Sequence, residues 1–88
     1  MRDLEGIQYQ GLTEFGADAA LRYMQGFDGI FALLRQYPMA GPDRSDIGHN
    51  VRMFTYRSHR ILYRYVNEEV TIARIVHHKI DSQRVLRN

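Results

Sequence analysis

Residues 51–76 read VRMFTYRSHRILYRYVNEEVTIARIV. Three runs within it, Val51 to Arg57, Arg60 to Val66 and Val70 to Val76, are rich in Val, Ile, Tyr, Thr and Phe. That composition, alternating at period two, is the pattern of half-buried strands. Ser58-His59 and Asn67-Glu68-Glu69 are short enough to be hairpin connections, so the three strands are expected to form an antiparallel meander. Alternation assigns Ile61, Tyr63 and Tyr65 to one sheet face, and Arg60, Leu62, Arg64 and Val66 to the other. The first set suits a face covered by helices.

Upstream, the period lengthens. From Ala17 to Tyr37, Ala20, Met24, Phe27, Phe31 and Leu34 recur at helical spacing, with Tyr23, Ile30 and Leu33 widening the stripe. Asp18 suits a cap or the positive end of the helix dipole, and Pro38 disfavours helical geometry at Tyr37. Before it, Leu4, Ile7, Leu12 and Phe15 form a looser stripe over residues 2–15, weakened by Gly6 and Gly11. Gly16 is placed where a glycine with positive φ would end that helix. So short a break predicts an antiparallel helix pair. Residues 38–49 read as loop, and Asp81–Arg87 as a helical turn capped by Asp81 or Ser82. The expected fold is α+β: a helix pair packed on one face of a three-stranded meander, in one domain spanning 1–88.

The absence of cysteine excludes disulfides and thiolate metal sites. No apolar run approaches the roughly 20 residues of a membrane span, and the first residues lack an apolar signal core, so the expected location is cytoplasmic. The net charge of +2 conceals a division: residues 1–43 carry three Arg against six acids, whereas residues 44–88 carry nine Arg or Lys against four acids and all four His. This asymmetry fits either an acidic partner or a solvated, arginine-rich sheet face.

Several stretches carry a family resemblance. They are Leu33-Leu34-Arg35-Gln36-Tyr37-Pro38, Val51-Arg52-Met53-Phe54, His59-Arg60-Ile61-Leu62-Tyr63-Arg64-Tyr65, and Ile72-Ala73-Arg74-Ile75-Val76-His77-His78-Lys79-Ile80-Asp81. In order and spacing these resemble the ParE/RelE superfamily of bacterial toxins over roughly residues 4–86. Such chains usually begin with a short strand before the first helix, whereas this one starts within that helix. An uncovered sheet edge is therefore expected, open to a partner segment or a second copy.

The resemblance implies a toxin of a type II toxin–antitoxin pair, held inactive by an antitoxin that folds upon it. ParE-like members bind and poison DNA gyrase; RelE-like members cut mRNA on the ribosome. The lysines of the RelE-like catalytic pattern fall near Val51 and Met53, a second arginine near Ile80 and a tyrosine near Leu86. Of that set only Arg60 is matched. The resemblance thus favours a ParE-like gyrase inhibitor neutralised by a ParD-like antitoxin, in a homo-oligomer or a toxin–antitoxin hetero-oligomer. An mRNA endonuclease using Arg60 with His77 or Lys79 stays as the alternative, and a third is an inert scaffold that only binds antitoxin.

The candidate partner-binding residues are Arg52, Arg57, Arg60, Arg64, Arg74, His77, Lys79 and Arg84. Arginines among them suit bidentate contacts with carboxylates, though each reads equally as a solvated side chain. His77 and His78, adjacent on a strand, point to opposite faces, which disfavours a shared metal; no metal or cofactor is expected. His77 also fits a hydrogen-bonded structural histidine at the sheet margin. Tyr56, Tyr63 and Tyr65 read as packing residues; only an exposed tyrosine pair beside Arg60 would suit RNA. Part of the Met24–Leu34 stripe would be a groove for an antitoxin helix if it is not core.

Overall fold

The computed structural model describes residues 2–86. Helices α1 (Arg2–Phe15) and α2 (Ala17–Gln36) are followed by strands β1 (Val51–Tyr56), β2 (His59–Val66) and β3 (Glu69–His77), then a short helix α3 (Ser82–Val85). The sheet is antiparallel in the order β1-β2-β3. This is the α+β arrangement expected from the periodicities.

Gly16 separates the helices with φ 86°, a conformation that would strain a side-chain-bearing residue. Its carbonyl accepts from Ala20 N (3.1 Å), so it serves as the N-cap of α2. Asp18 is therefore not the cap; it sits in the first turn, where its charge meets the helix dipole. The looser stripe of α1 was only half right. Leu4 and Ile7 pack on the core, but Leu12 and Phe15 are exposed, and α1 has no buried residue. A five-residue step from Ile7 to Leu12 turns the side chain well off the inward face. Gly11 faces inward instead, and the helices approach so closely that a Cβ there would lie 3.2 Å from Ala20 Cβ. Leu33, expected to widen the α2 stripe, is also exposed.

The helices cover one face of the sheet. Phe27 and Leu34 from α2 meet Ile61, Tyr63 and Ile75 in the principal core, with Met24 and Phe31 packed against it. Phe27 and Leu34 make most of the stripe core, whereas Met24 is only partly buried and also lines a surface cavity. The opposite face is not bare. Ile47 from the loop, Val51 and Leu62 form a second buried cluster, closed by Val85 and Leu86. Leu62, assigned to an outward face, is fully buried there because the loop and α3 fold over it.

The strands begin and end slightly off the expected positions because the turns are tighter. Tyr56 pairs with His59, leaving Arg57-Ser58 as the turn, with Arg57 at φ 51°. Asn67 and Glu68 both have positive φ, as a two-residue type I′ turn requires, so Glu69 joins β3. At the other end β3 extends to His77, which pairs with His59. An irregularity at Leu62/Tyr63 shifts the register by one residue, opposite Ala73.

The loop after α2 is fastened to the sheet. The Tyr63 hydroxyl donates to Pro38 O (2.6 Å) and accepts from Gly41 N (2.9 Å), while Arg52 Nη1 donates to Gly41 O (2.7 Å). A Cβ on Gly41 would come within 2.8 Å of Met53 O, so only glycine fits. Pro42 O and Arg44 N then bond Met53 N and Val51 O, covering that part of the β1 edge. On the β3 edge, Asp3 accepts from Ile75 N (2.8 Å) and forms an ion pair with Arg74 (2.8 Å).

Candidate functional site: a cationic corner beside the helix hairpin

A concave part of the described surface lies between the α1–α2 hairpin and the β1–β2 turn. This cavity of about 560 Å³ is lined by the partly buried Ile7 and Met24, with the exposed Phe15 also contributing apolar surface. Tyr23, Tyr56, His59 and His77 form an aromatic wall, and Arg22, Arg57 and Glu14 also line it. Its position follows from the register. His59 and His77 are cross-strand partners on the helix side of the sheet, and α2 brings Tyr23 against His59.

Tyr23 Oη and His59 Nδ1 are 2.6 Å apart. Burial first, then the neighbouring His77 and His78, hold the His59 pKa below its usual value. Tyr23 Oη and His59 Nδ1 share one hydrogen bond, whose direction is set by the tautomer of the His59 ring. Burial likewise pushes the Tyr23 hydroxyl pKa up. The Tyr56 hydroxyl donates to Tyr23 O (3.2 Å), fixing the β1 end beneath α2. The His59 and His77 rings are 5.5 Å apart, and those of His77 and His78 4.4 Å apart.

The residues singled out from the sequence do not form one surface. Arg52 lies towards the loop and is tied to Gly41 O. Arg60, on the α3 side of the sheet, donates to Ser82 Oγ (3.4 Å), and Arg64 donates to His49 O (3.1 Å). Arg74 is paired with Asp3, and Arg84 with Asp81 at 3.5 Å. His77 Nδ1 accepts from Lys79 N (3.2 Å), and the His77 ring packs on that of His78; the two do not point to opposite faces as expected, because β3 ends at His77 and strand alternation does not extend to His78. Of the eight, Arg57 and Lys79 are the two whose side chains make no hydrogen bond or ion pair among the described residues. Arg57 is exposed, 5.8 Å above the Tyr56 ring, in a left-handed conformation that costs a non-glycine residue roughly 1–2 kcal/mol.

Arg60 and His77 also fall on opposite sides of the sheet. Partial desolvation, then the charges of His77, Lys79 and Arg60, keep the His78 pKa low. Tyr63 is fully buried and Tyr56 partly so, which leaves no exposed tyrosine pair beside Arg60. Among the described residues no group of three or more His, Asp or Glu is arranged to hold a metal, and no helix is long and apolar enough to cross a membrane. Sequence reading missed Tyr23 and His59 as site residues. His59 looked like part of the turn, and the Tyr23 contact depends on how α2 docks on the sheet.

The family model described as the ParE toxin of the type II toxin–antitoxin system parDE matches residues 1–82. The chain belongs to the ParE toxin family. It is also similar to Toxin ParE3 of Caulobacter vibrioides (strain ATCC 19089 / CIP 103742 / CB 15), with 30% identity over 74 residues, covering 84% of this chain and 74% of that relative. Membership of a type II toxin–antitoxin family implies an antitoxin partner. For a ParE-family chain, a concave surface with unneutralised cations is a place to look for protein contacts.

Proposed function

We propose that this ParE-family chain inhibits DNA gyrase by binding it, and that a ParD-like antitoxin neutralises it within a toxin–antitoxin complex in the cytoplasm. The observation carrying this reading is the separation of Arg60 from His77. An RNA-cleaving site needs a base, a cationic stabiliser and an acid converging on one phosphate. Here the matched arginine serves α3 while His77 lies with the helix-side aromatics. A binding inhibitor needs no such convergence, only exposed groups held in place.

Induced expression in bacteria, with DNA and protein synthesis pulse-labelled separately, tests the proposal. Gyrase inhibition stops DNA synthesis first, and purified protein added to gyrase and plasmid suppresses supercoiling or traps cleaved DNA. Protein synthesis falling first would replace this reading with mRNA cleavage, and Arg60, His78 and Lys79 would become the residues to replace. Normal growth together with antitoxin binding would identify an inert scaffold.

A further inference from the structure

We infer that the cavity between the α1–α2 hairpin and the β1–β2 turn is the docking site for an acidic, apolar-tipped peptide segment of a partner protein, with Arg57 as its anchor. This rests on the partner-binding reading above and adds where, and through what chemistry, a partner attaches.

Three observations converge. The cavity has apolar lining, from the partly buried Ile7 and Met24 and the exposed Phe15, and can accept a Leu- or Phe-sized side chain. Its rim carries Arg22 and Arg57, neither in an ion pair among the described residues, so an incoming carboxylate finds free guanidinium groups. Arg57 is also held left-handed at the turn tip, where glycine would sit without cost and asparagine more readily than arginine, and its guanidinium is presented over Tyr56. An arginine backed by an aromatic ring at the mouth of an apolar pocket is the type of group that dominates protein–protein contacts.

The same geometry disfavours nucleic acid. Phosphate binding draws on a track of several cations, whereas Glu14 interrupts the lining on the α1 side. The aromatic groups lie mostly within the wall: Tyr23 is bonded to His59, and Tyr56 to the α2 backbone. Two discrete guanidinium groups beside an apolar lining fit a peptide carboxylate with a neighbouring apolar residue.

The test uses the full chain and a synthetic amphipathic helix with Glu on one face and Leu and Phe on the other. A second peptide with Lys replacing Glu and a single-stranded RNA oligomer serve as comparators. Amide and imidazole NMR resonances locate binding. The acidic peptide should shift Tyr23, Tyr56, His59 and His77, while the Lys peptide should not. Arg57→Asn suits the left-handed backbone, so its melting temperature should not fall, yet the peptide should bind roughly tenfold more weakly. Arg22→Gln, on the exposed side of α2, should weaken it less.

No binding, binding centred on β3 and α3, equal binding by the Lys peptide, or affinity indifferent to Arg57 would each overturn the proposal. RNA shifting the same resonances while the acidic peptide does not would do so in favour of a nucleic-acid site. Growth arrest by the unaltered chain is read separately: arrest without peptide binding at the corner rejects the docking site and leaves the gyrase reading standing.

Discussion

The two faces of the sheet are built to different standards. On the helix side, two large α2 residues, Phe27 and Leu34, interlock with Ile61, Tyr63 and Ile75. On the other, Ile47, Val51 and Leu62 are sealed by a loop and by Val85 and Leu86, at and just after the end of the four-residue α3, both only partly buried. The first cover is held by continuous apolar packing, which is non-directional and scales with area. The second leans on polar fastenings: Asp46 accepts from Arg44 (2.8 Å) and from Gln83 Nε2 (3.0 Å), and Asp81 caps α3 through Gln83 N. The helix-side face should therefore set global stability, and the other face should open locally at lower cost.

Substitutions can break this contrast. Phe27→Ala removes the largest apolar side chain of the helix face and should cost about 3–5 kcal/mol in chemical denaturation, enough to unfold much of the population of so small a domain. Leu62→Ala should cost less, about 2–3 kcal/mol, because the thin cover over it can settle into the space. Equal losses would mean the two faces contribute alike. Tyr63→Phe crosses between them: it leaves Pro38 O and Gly41 N without their partner, for about 1–3 kcal/mol, and should raise hydrogen exchange in residues 38–44. Asp46→Asn should barely move the denaturation midpoint while speeding exchange of α3 amides, since the exposed Arg44 and Gln83 contacts hold position more than they stabilise.

Acidity gives a further contrast, with the smallest effect. His59 has a lowered pKa in the folded chain, so the native state binds fewer protons than the unfolded one as pH falls below the unfolded value of about 6.5. Its contribution is intact above that value and erodes below it, so the melting temperature should decline between pH 7.5 and pH 5. That decline should shrink in His59→Asn. Asp3 acts at lower pH: burial raises its pKa, but the Arg74 and Ile75 hydrogen bonds prevail and hold it low. Its share of stability is present above the unfolded carboxylate pKa and disappears as pH falls through the folded value. A slope unchanged by His59→Asn would assign the pH 5–7.5 sensitivity to another histidine.

Much of the fold was legible because it rests on local rules. The alternation of β2 placed Ile61 and Tyr63 on the helix face, and the α2 stripe named Phe27 and Leu34 as core. The errors came where tertiary contact decides. Leu12 and Phe15 counted as inward by spacing, but Gly11 and Ala20 set how the two helices meet. Leu62 was placed on an open face because no sequence pattern announces that a polar loop and a short helix will return over it. The candidate site was less legible still. Its arginines were visible, but hydrogen bonding divides them into fasteners, such as Arg52 and Arg64, and free groups, such as Arg57. The Tyr23–His59 contact joins segments 36 residues apart and follows only from the docking of α2 on the sheet.

The fastening of the loop by Tyr63 has an optical consequence. The chain has no tryptophan, so its near-ultraviolet signal comes chiefly from six tyrosines. Tyr9 and Tyr37 are largely exposed, Tyr23, Tyr56 and Tyr65 are partly buried, and Tyr63 alone is wholly enclosed, with its hydroxyl both donating and accepting. Its phenol band should be red-shifted and its circular dichroism strongest, so release of the loop from the sheet can be followed in an unlabelled sample through one native chromophore.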